Sequence, residues 1–194
     1  MREEFIKIFQ DNIKREGADK LLKWIEGTDF FEAPASTRFH LSREGGLLEH
    51  SINVYQRLLS LYQNEGLGEI GTEVMESIAI CGLLHDLCKT NFYTIEMRNA
   101  KNEKGQWEKV PYYAVDDKLP YGHGEKSVYI ISGFMKLTRE EAMAIRWHMG
   151  GFDEAVRGGS YALNGAWGKF PMAVMLHIAD LQATYLDEVE GGAT

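Results

Sequence analysis

The sequence predicts an all-α helical bundle that carries one small β-hairpin insertion. Three observations lead there. Apolar residues recur at helical spacing over most of the 194 residues. The stretch that ends in His85-Asp86 is apolar nearly all round, so it is expected at the centre of the bundle. Only residues 92–115 alternate in the manner of two paired strands around a polar turn. Hydrophobic residues make up 44% of the chain and charged residues 26%, a globular rather than a disordered balance. The length fits a single domain, 1–194, with a sizeable core.

The elements follow in order. Phe5, Ile6, Phe9, Ile13, Leu21, Leu22, Trp24 and Ile25 predict one or two amphipathic helices over 3–26, within an N-terminal helical segment 1–30. Residues 29–46 read as a connector with Pro34, Ser36, Thr37 and the Gly45-Gly46 pair. Leu48, Ile52, Tyr55, Leu58 and Leu59 share one side of a helix over 47–62. A break at Gly66 to Gly71 separates it from a helix over 72–89. Strands over 92–97 and 107–113 flank Asn102-Glu103-Lys104-Gly105, and Pro111 argues for an edge position. A turn over 120–124 carries His123, and a helix follows over 125–135. Thr138-Arg139-Glu140-Glu141 is a capping box that opens a helix over 139–148. Residues 150–168 read as a glycine-rich loop with aromatic side chains, and 170–188 as the last long helix. No internal repeat or second domain stands out.

Net charge is −8, which argues against strong nonspecific binding to nucleic acid. A local basic mouth stays open, because metal ions bring their own charge. Cys81 and Cys88 are the only cysteines, and both fall in one predicted helix. At about 1.5 Å rise per residue they stand roughly 10 Å apart along the axis, too far for a disulfide. Two buried thiols suit a reducing cytoplasm. The N-terminus lacks the apolar core of a signal peptide. No apolar run approaches the roughly 20 residues that span a bilayer. A cytoplasmic protein without membrane partners is therefore expected; the oligomeric state is not legible.

The chemistry concentrates at His85-Asp86. An imidazole and a carboxylate at the end of an apolar helix are expensive to bury unless something compensates them. A divalent metal would, and His50, His123, His148 and Asp180 offer further ligands. Any one histidine alone is more often a hydrogen-bonded core or surface residue. The joint pattern is what points to metal: His50 follows Gly-Gly at a helix start, and Asp180 sits among apolar residues in the last helix. Imidazoles with carboxylates suit Mn²⁺, Fe²⁺, Ni²⁺ or Zn²⁺.

Three segments carry a resemblance. Gly45-Gly46-Leu47-Leu48-Glu49-His50, Leu83-Leu84-His85-Asp86-Leu87-Cys88-Lys89 and Leu176-His177-Ile178-Ala179-Asp180 resemble, in this order, the motifs of the HD superfamily of metal-dependent phosphohydrolases. The likeness runs over about 34–187. It implies the HD-type bundle and a four-ligand set of His50, His85, Asp86 and Asp180. Gly122-His123-Gly124-Glu125-Lys126-Ser127 and Arg146-Trp147-His148-Met149-Gly150 look like the segments that bind a second ion in binuclear members. The resemblance thus implies two ions bridged by Asp86, although His123 and His148 can also be read as contacts to substrate phosphate alone. The segment around His123 further resembles the HD domain attached to some bacterial 3′-to-5′ exoribonucleases. One departure is Cys88, where the family often has glycine; it is read as a change in helix-end packing and not as a ligand. His40 is read as lining the mouth or serving a turn, and His177 as a core residue or one that supports a ligand.

The resemblance implies hydrolysis of a phosphoester by attack of metal-bound hydroxide, with Asp86 orienting it and Lys89 reaching a phosphate oxygen. Lys89 is equally readable as a solvated cation at a helix C-terminus. Lys126 and Arg146 are further candidates for binding substrate phosphate. No phosphate-binding P-loop and no nucleophile elbow is present. The partner expected is a small phosphorylated molecule: a nucleotide, cyclic nucleotide or short oligonucleotide. Tyr93, Trp107, Tyr112, Tyr113, Tyr121, Phe152, Tyr161 and Trp167 could stack on a base, though packing explains them as well. Two other classes stay open. One is a mixed-valence di-iron oxygenase on a small polyol or phosphonate, which HD-fold proteins with a similar six-ligand set can be. The other is a non-catalytic nucleotide-binding module.

Overall fold

The computed structural model describes residues 1–65 and 70–189. The described residues are mostly helical, with one two-stranded antiparallel sheet. The N-terminal pattern resolves into two helices, α1 (Arg2–Asn12) and α2 (Ala18–Glu26). Gly17 separates them in the left-handed region, at φ 89°. The connector 29–46 leads to α3 (Gly46–Asn64). Of the predicted break at 66–71, residues 66–69 lie outside the described residues.

The next helix, α4 (Thr72–Leu84), is shorter than its apolar pattern suggested. It stops before the chemistry. His85 Nδ1 donates to the carbonyl of Gly82, turning the chain back on its own last turn. A short 3₁₀ turn, Leu87–Lys89, follows. Ile78, Ala79, Ile80, Cys81, Leu83 and Leu84 are all 0% exposed. The second half of α4, apolar on every side, is thus buried on every side, and the helix packs among α1, α3 and α6.

The hairpin is longer than its sequence signal. Strand β1 (Tyr93–Lys101) pairs with β2 (Trp107–Val115) in a register that sets Tyr93 against Val115 and Met97 against Pro111. In a two-stranded ribbon both strands are edges, so the proline loses no partner. The apolar and aromatic residues Ile95, Met97 and Trp107 face solvent, which places most of the ribbon outside the core.

His123 does not sit in a turn. It opens α5 (His123–Ser132), which starts two residues earlier than its apolar pattern. Helix α6 (Arg139–Trp147) begins with the expected capping box: Glu141 N–H donates to Thr138 Oγ1, and Thr138 N–H to Glu141 Oε2. The glycine-rich segment is not a plain loop. It holds a 3₁₀ turn at Gly150–Phe152 and two short helices, α7 (Glu154–Arg157) and α8 (Ala162–Trp167). Asp153 caps α7 and Leu163 and Ala166 bury one side of α8, features too short to produce a periodic signal. The last helix, α9 (Pro171–Gln182), packs on α3 and α6 and then widens into a π-helical turn, Ala183–Asp187.

The N-terminal helices are tied to this bundle by charge as well as by packing. Arg15, between α1 and α2, reaches Glu141 at 2.6 Å and Glu76 at 3.1 Å. Ser77 Oγ donates to the same Glu141 carboxylate at 2.6 Å. Phe5 and Phe9 join Phe30, Leu47, Ile80 and Leu176 in one continuous core. No helix among the described residues is long and apolar enough to cross a membrane.

Candidate metal centre

The site forms where five helices meet. His50 lies on the first turns of α3, His85 and Asp86 just past α4, His123 at the start of α5, His148 just past α6 and Asp180 inside α9. Residues up to 130 positions apart thereby share one small volume. Close helix approach makes this possible. A Cβ on Gly82 would stand 2.5 Å from the Cα of Tyr55, so only glycine lets α4 come this near α3. Gly124 plays the same part between α5 and α6, where a Cβ would meet the Arg146 carbonyl oxygen at 2.3 Å.

Asp86 is the hub. Its Oδ1 accepts from His123 Nε2 at 2.7 Å and lies 3.4 Å from His148 Nε2. Its Oδ2 lies 3.6 Å from Nε2 of both His50 and His85. On that second side, His50 Nε2 is 3.2 Å from His85 Nε2 and 3.3 Å from Asp180 Oδ1. The six residues predicted from sequence therefore come together as two groups that share one carboxylate. His50, His85 and Asp180 form one; His123 and His148 each approach Asp86 Oδ1 from the other side, and His148 also gathers with His85. Asp86, His50, His85 and His148 are buried.

The outer nitrogens are fixed by the protein. His85 Nδ1 donates to Gly82 O at 2.9 Å and His148 Nδ1 to Ile145 O at 2.7 Å, so both rings turn an Nε2 lone pair into the site. His148 Nε2 is buried with no hydrogen-bond partner. An orphaned buried acceptor aimed at a carboxylate is costly, and a cation between the two would relieve it. The donor set fits a divalent transition metal.

The histidines of the cluster titrate in opposite directions. Burial and the neighbouring histidines push His85 down to about 3, so its ring is neutral. Burial opposes charge on His50, yet hydrogen bonds to Asp180 and Glu188 outweigh it and raise His50 to about 9. His123 rises to about 10 despite burial, through Cys88 and Asp86. Burial works against both carboxylates too, but Lys89, His85 and His123 hold Asp86 well below its usual range, and His50 does the same for Asp180. Protons and metal ions therefore compete for His50 and His123.

The other sequence candidates take unexpected partners. Lys89 is not a solvated cation: its Nζ is 2.6 Å from Asp86 Oδ2, and its side chain is largely buried. Lys126 pairs with Asp117 and lies over the Phe92 ring, 4.5 Å from its centroid. Arg146 pairs with Glu125 and, at 2.7 Å, with Asp153. Both line a cavity of about 480 Å³ that also reaches Cys88, His123, Tyr121 and Phe152. Lys126 and Arg146 thus already have carboxylates, while Arg157, which also lines the cavity, makes no ion pair among the described residues. A larger cleft of about 1530 Å³ around Arg15, Tyr62 and Glu140 contains none of the six residues. His177 Nδ1 donates to the His148 carbonyl at 2.6 Å and supports that turn from behind.

Sequence reasoning missed Glu188. Its Oε1 accepts from His50 Nδ1 at 3.0 Å and from Asn53 Nδ2 at 3.0 Å. With a period of 3.6, Asp187 would share the face of Asp180, two turns earlier. The π-helical turn inserts one residue and delivers Glu188 instead, while Asp187 pairs outward with Arg57. His40 sits beside this pair rather than at an open mouth, its ring centroid 5.0 Å from that of His50.

The family model described as HD domain matches residues 47–181. The chain belongs to the HD family. That segment contains all six clustered residues, while α1, α2 and the connector precede it. HD domains form a superfamily of metal-dependent hydrolases that bind divalent metals. Comparison with curated proteins and with solved structures finds no match.

Proposed function

We propose that this HD protein is a metal-dependent phosphohydrolase that takes a phosphoester of a small, nucleotide-type substrate and uses two divalent ions. The observation that carries this reading is the single carboxylate of Asp86, set between two groups of ligands. His50, His85, Asp86 and Asp180 would hold one ion, and Asp86, His123 and His148 the other. Bound there, the ions supply an acidified water and Lewis-acid polarisation of the phosphoryl group.

The protein's own groups do the rest. Lys89 places an ammonium against Asp86, where it can steady a phosphoryl oxygen as negative charge grows. Lys126 and Arg146 in the adjoining cavity are neutralised by Asp117, Glu125 and Asp153, so a phosphate gains little net charge from these two. Attraction of an anionic substrate then rests on Lys89, on Arg157 at the cavity wall and on the ions themselves. The cavity is within the size range of small-ligand sites, and Phe92, Tyr121 and Phe152 offer it apolar wall.

The test is hydrolysis of bis-p-nitrophenyl phosphate and of a nucleotide panel with added Mn²⁺, comparing wild type with Asp86→Ala. Metal-dependent turnover lost in the variant is expected. Metal bound without turnover of any diester, monoester or nucleoside triphosphate would overturn the reading. Iron dependence with oxygen consumption would replace it with a di-iron oxygenase.

A further inference from the structure

We infer that Cys88 is a sulfur ligand in the half of the centre lined by Asp86, His123 and His148, so that this half selects a thiophilic ion such as Zn²⁺, Co²⁺ or Fe²⁺ over Mg²⁺. The inference rests on the two-ion reading above and reverses the packing role expected for this residue from sequence.

The thiol is built into the site. Cys88 follows Asp86 by two residues in the 3₁₀ turn, and its N–H donates to Ser127 Oγ of α5 at 3.0 Å. That bond turns the residue toward α5, and the side chain is 2% exposed. Its Sγ lies 3.4 Å from Nδ1 and 3.6 Å from Nε2 of His123. Asp86, Cys88 and His123 each present one donor atom within 4.8 Å of the others. On the far side of Asp86 Oδ1 stands the unpartnered, fully buried His148 Nε2, 3.4 Å away.

The spacings suit a tetrahedral ion. With metal–sulfur bonds near 2.3 Å and metal–nitrogen or –oxygen bonds near 2.1 Å, sulfur and nitrogen ligands lie roughly 3.6 Å apart and nitrogen and oxygen ligands roughly 3.4 Å apart. The sulfur–Nε2 and His148–Asp86 separations are 3.6 Å and 3.4 Å, and because the sulfur stands at 3.4 Å from Nδ1 the His123 ring must turn to aim Nε2 at an ion shared with Cys88. The His123–Asp86 pair is closer, at 2.7 Å, because it shares a proton. Loading the ion releases that proton and the thiol proton to the buffer, and no redox partner is needed. A thiolate among imidazole and carboxylate favours softer divalent metals over Mg²⁺.

Cys81 shows the contrast. It is 0% exposed in the α4 core, touches Met172 Sδ at 3.4 Å, and burial pushes its thiol well up. It serves as an internal control.

The experiment is an anaerobic Co²⁺ titration of the full chain, followed in the near ultraviolet, where thiolate-to-cobalt charge transfer absorbs, and in the visible. Wild type and Cys81→Ala are expected to bind two equivalents and show the charge-transfer band. Cys88→Ser is expected to lose the band while its visible ligand-field bands persist, with the second equivalent weakened at least about tenfold. If Cys88→Ser does not fold, the band in wild type and in Cys81→Ala carries the decision. Two ions bound without the band would overturn the thiolate and leave the two-ion reading standing. A band that survives in Cys88→Ser would also overturn it. Failure to bind a second ion would overturn both.

Discussion

Gly82→Ala is expected to damage the metal centre without touching it. The new Cβ would stand 2.5 Å from Tyr55 Cα, 2.9 Å from its Cβ and 3.0 Å from its backbone nitrogen. Ordinary contact starts near 3.4 Å, so α3 and α4 must part by about 0.9 Å. His50 lies five residues before Tyr55 on α3, and His85 three residues after Gly82. Their Nε2 atoms are 3.2 Å apart. Metal–ligand distances tolerate about 0.2 Å, so such an opening removes one ring from reach. If the helices hold instead, overpacking costs about 1–3 kcal/mol. Alanine is the better helix former by about 1 kcal/mol, so propensity alone predicts the opposite sign. The assay is thermal unfolding with a chelator present, together with calorimetric titration by Mn²⁺. A Tm lowered by about 2–4 °C for each kcal/mol, or metal affinity weakened at least about tenfold, is expected. A variant with wild-type Tm and wild-type affinity would refute the claim that this contact sets the site.

Glu188→Gln keeps a side chain of the same size but removes the charge behind His50. Metal affinity is expected to fall about 10–100-fold, and the His50 titration to move down from about 9. Calorimetry and proton-detected histidine titration would check both, and no change in either would remove Glu188 from the centre. Metal binding should also depend on pH in a defined sense. His50 and His123 titrate near 9 and 10, so both rings carry protons at pH 7 and must lose them to an ion. Affinity should rise with pH from 6 to 9, and about two protons or more should leave at pH 7. His85 releases none in that range, because it is already neutral above about 3. Calorimetry in buffers of different ionisation enthalpy measures the number, and a buffer-independent heat would contradict it.

Much of the bundle and the clustering of six residues could be read from the chain, and the reasons are physical. Long helices such as α3 and α4 repeat their pattern often enough to be recognised, and the capping box at Thr138 is a local signal. The short helices α7 and α8 span fewer than two turns each, so glycine content outweighed periodicity there. The end of α4 was overrun because the pattern stays apolar through Leu87, while a side chain to backbone bond from His85 ends the helix. Glu188 was hidden by a phase slip that no regular period contains. Lys126 and Arg146 were legible as cations near the site, but not as cations already matched by Asp117, Glu125 and Asp153, since those partnerships depend on how distant loops close.

The ion pair of Arg15 with Glu141 has a consequence for where this molecule can be divided. The family match begins at residue 47, yet the carboxylate that opens α6 is neutralised by a guanidinium from outside it. Cutting at that boundary would take the Arg15 guanidinium away from Glu141 and would strip Phe5 and Phe9 from the core. A typical fold holds only about 5–15 kcal/mol in total. The stretch that carries the ligands is therefore not a portable cassette. A chimera that transplants residues 47–181 must bring a substitute counter-ion and two aromatic plugs, or it will arrive with the ligands in its sequence and without the scaffold that gathers them.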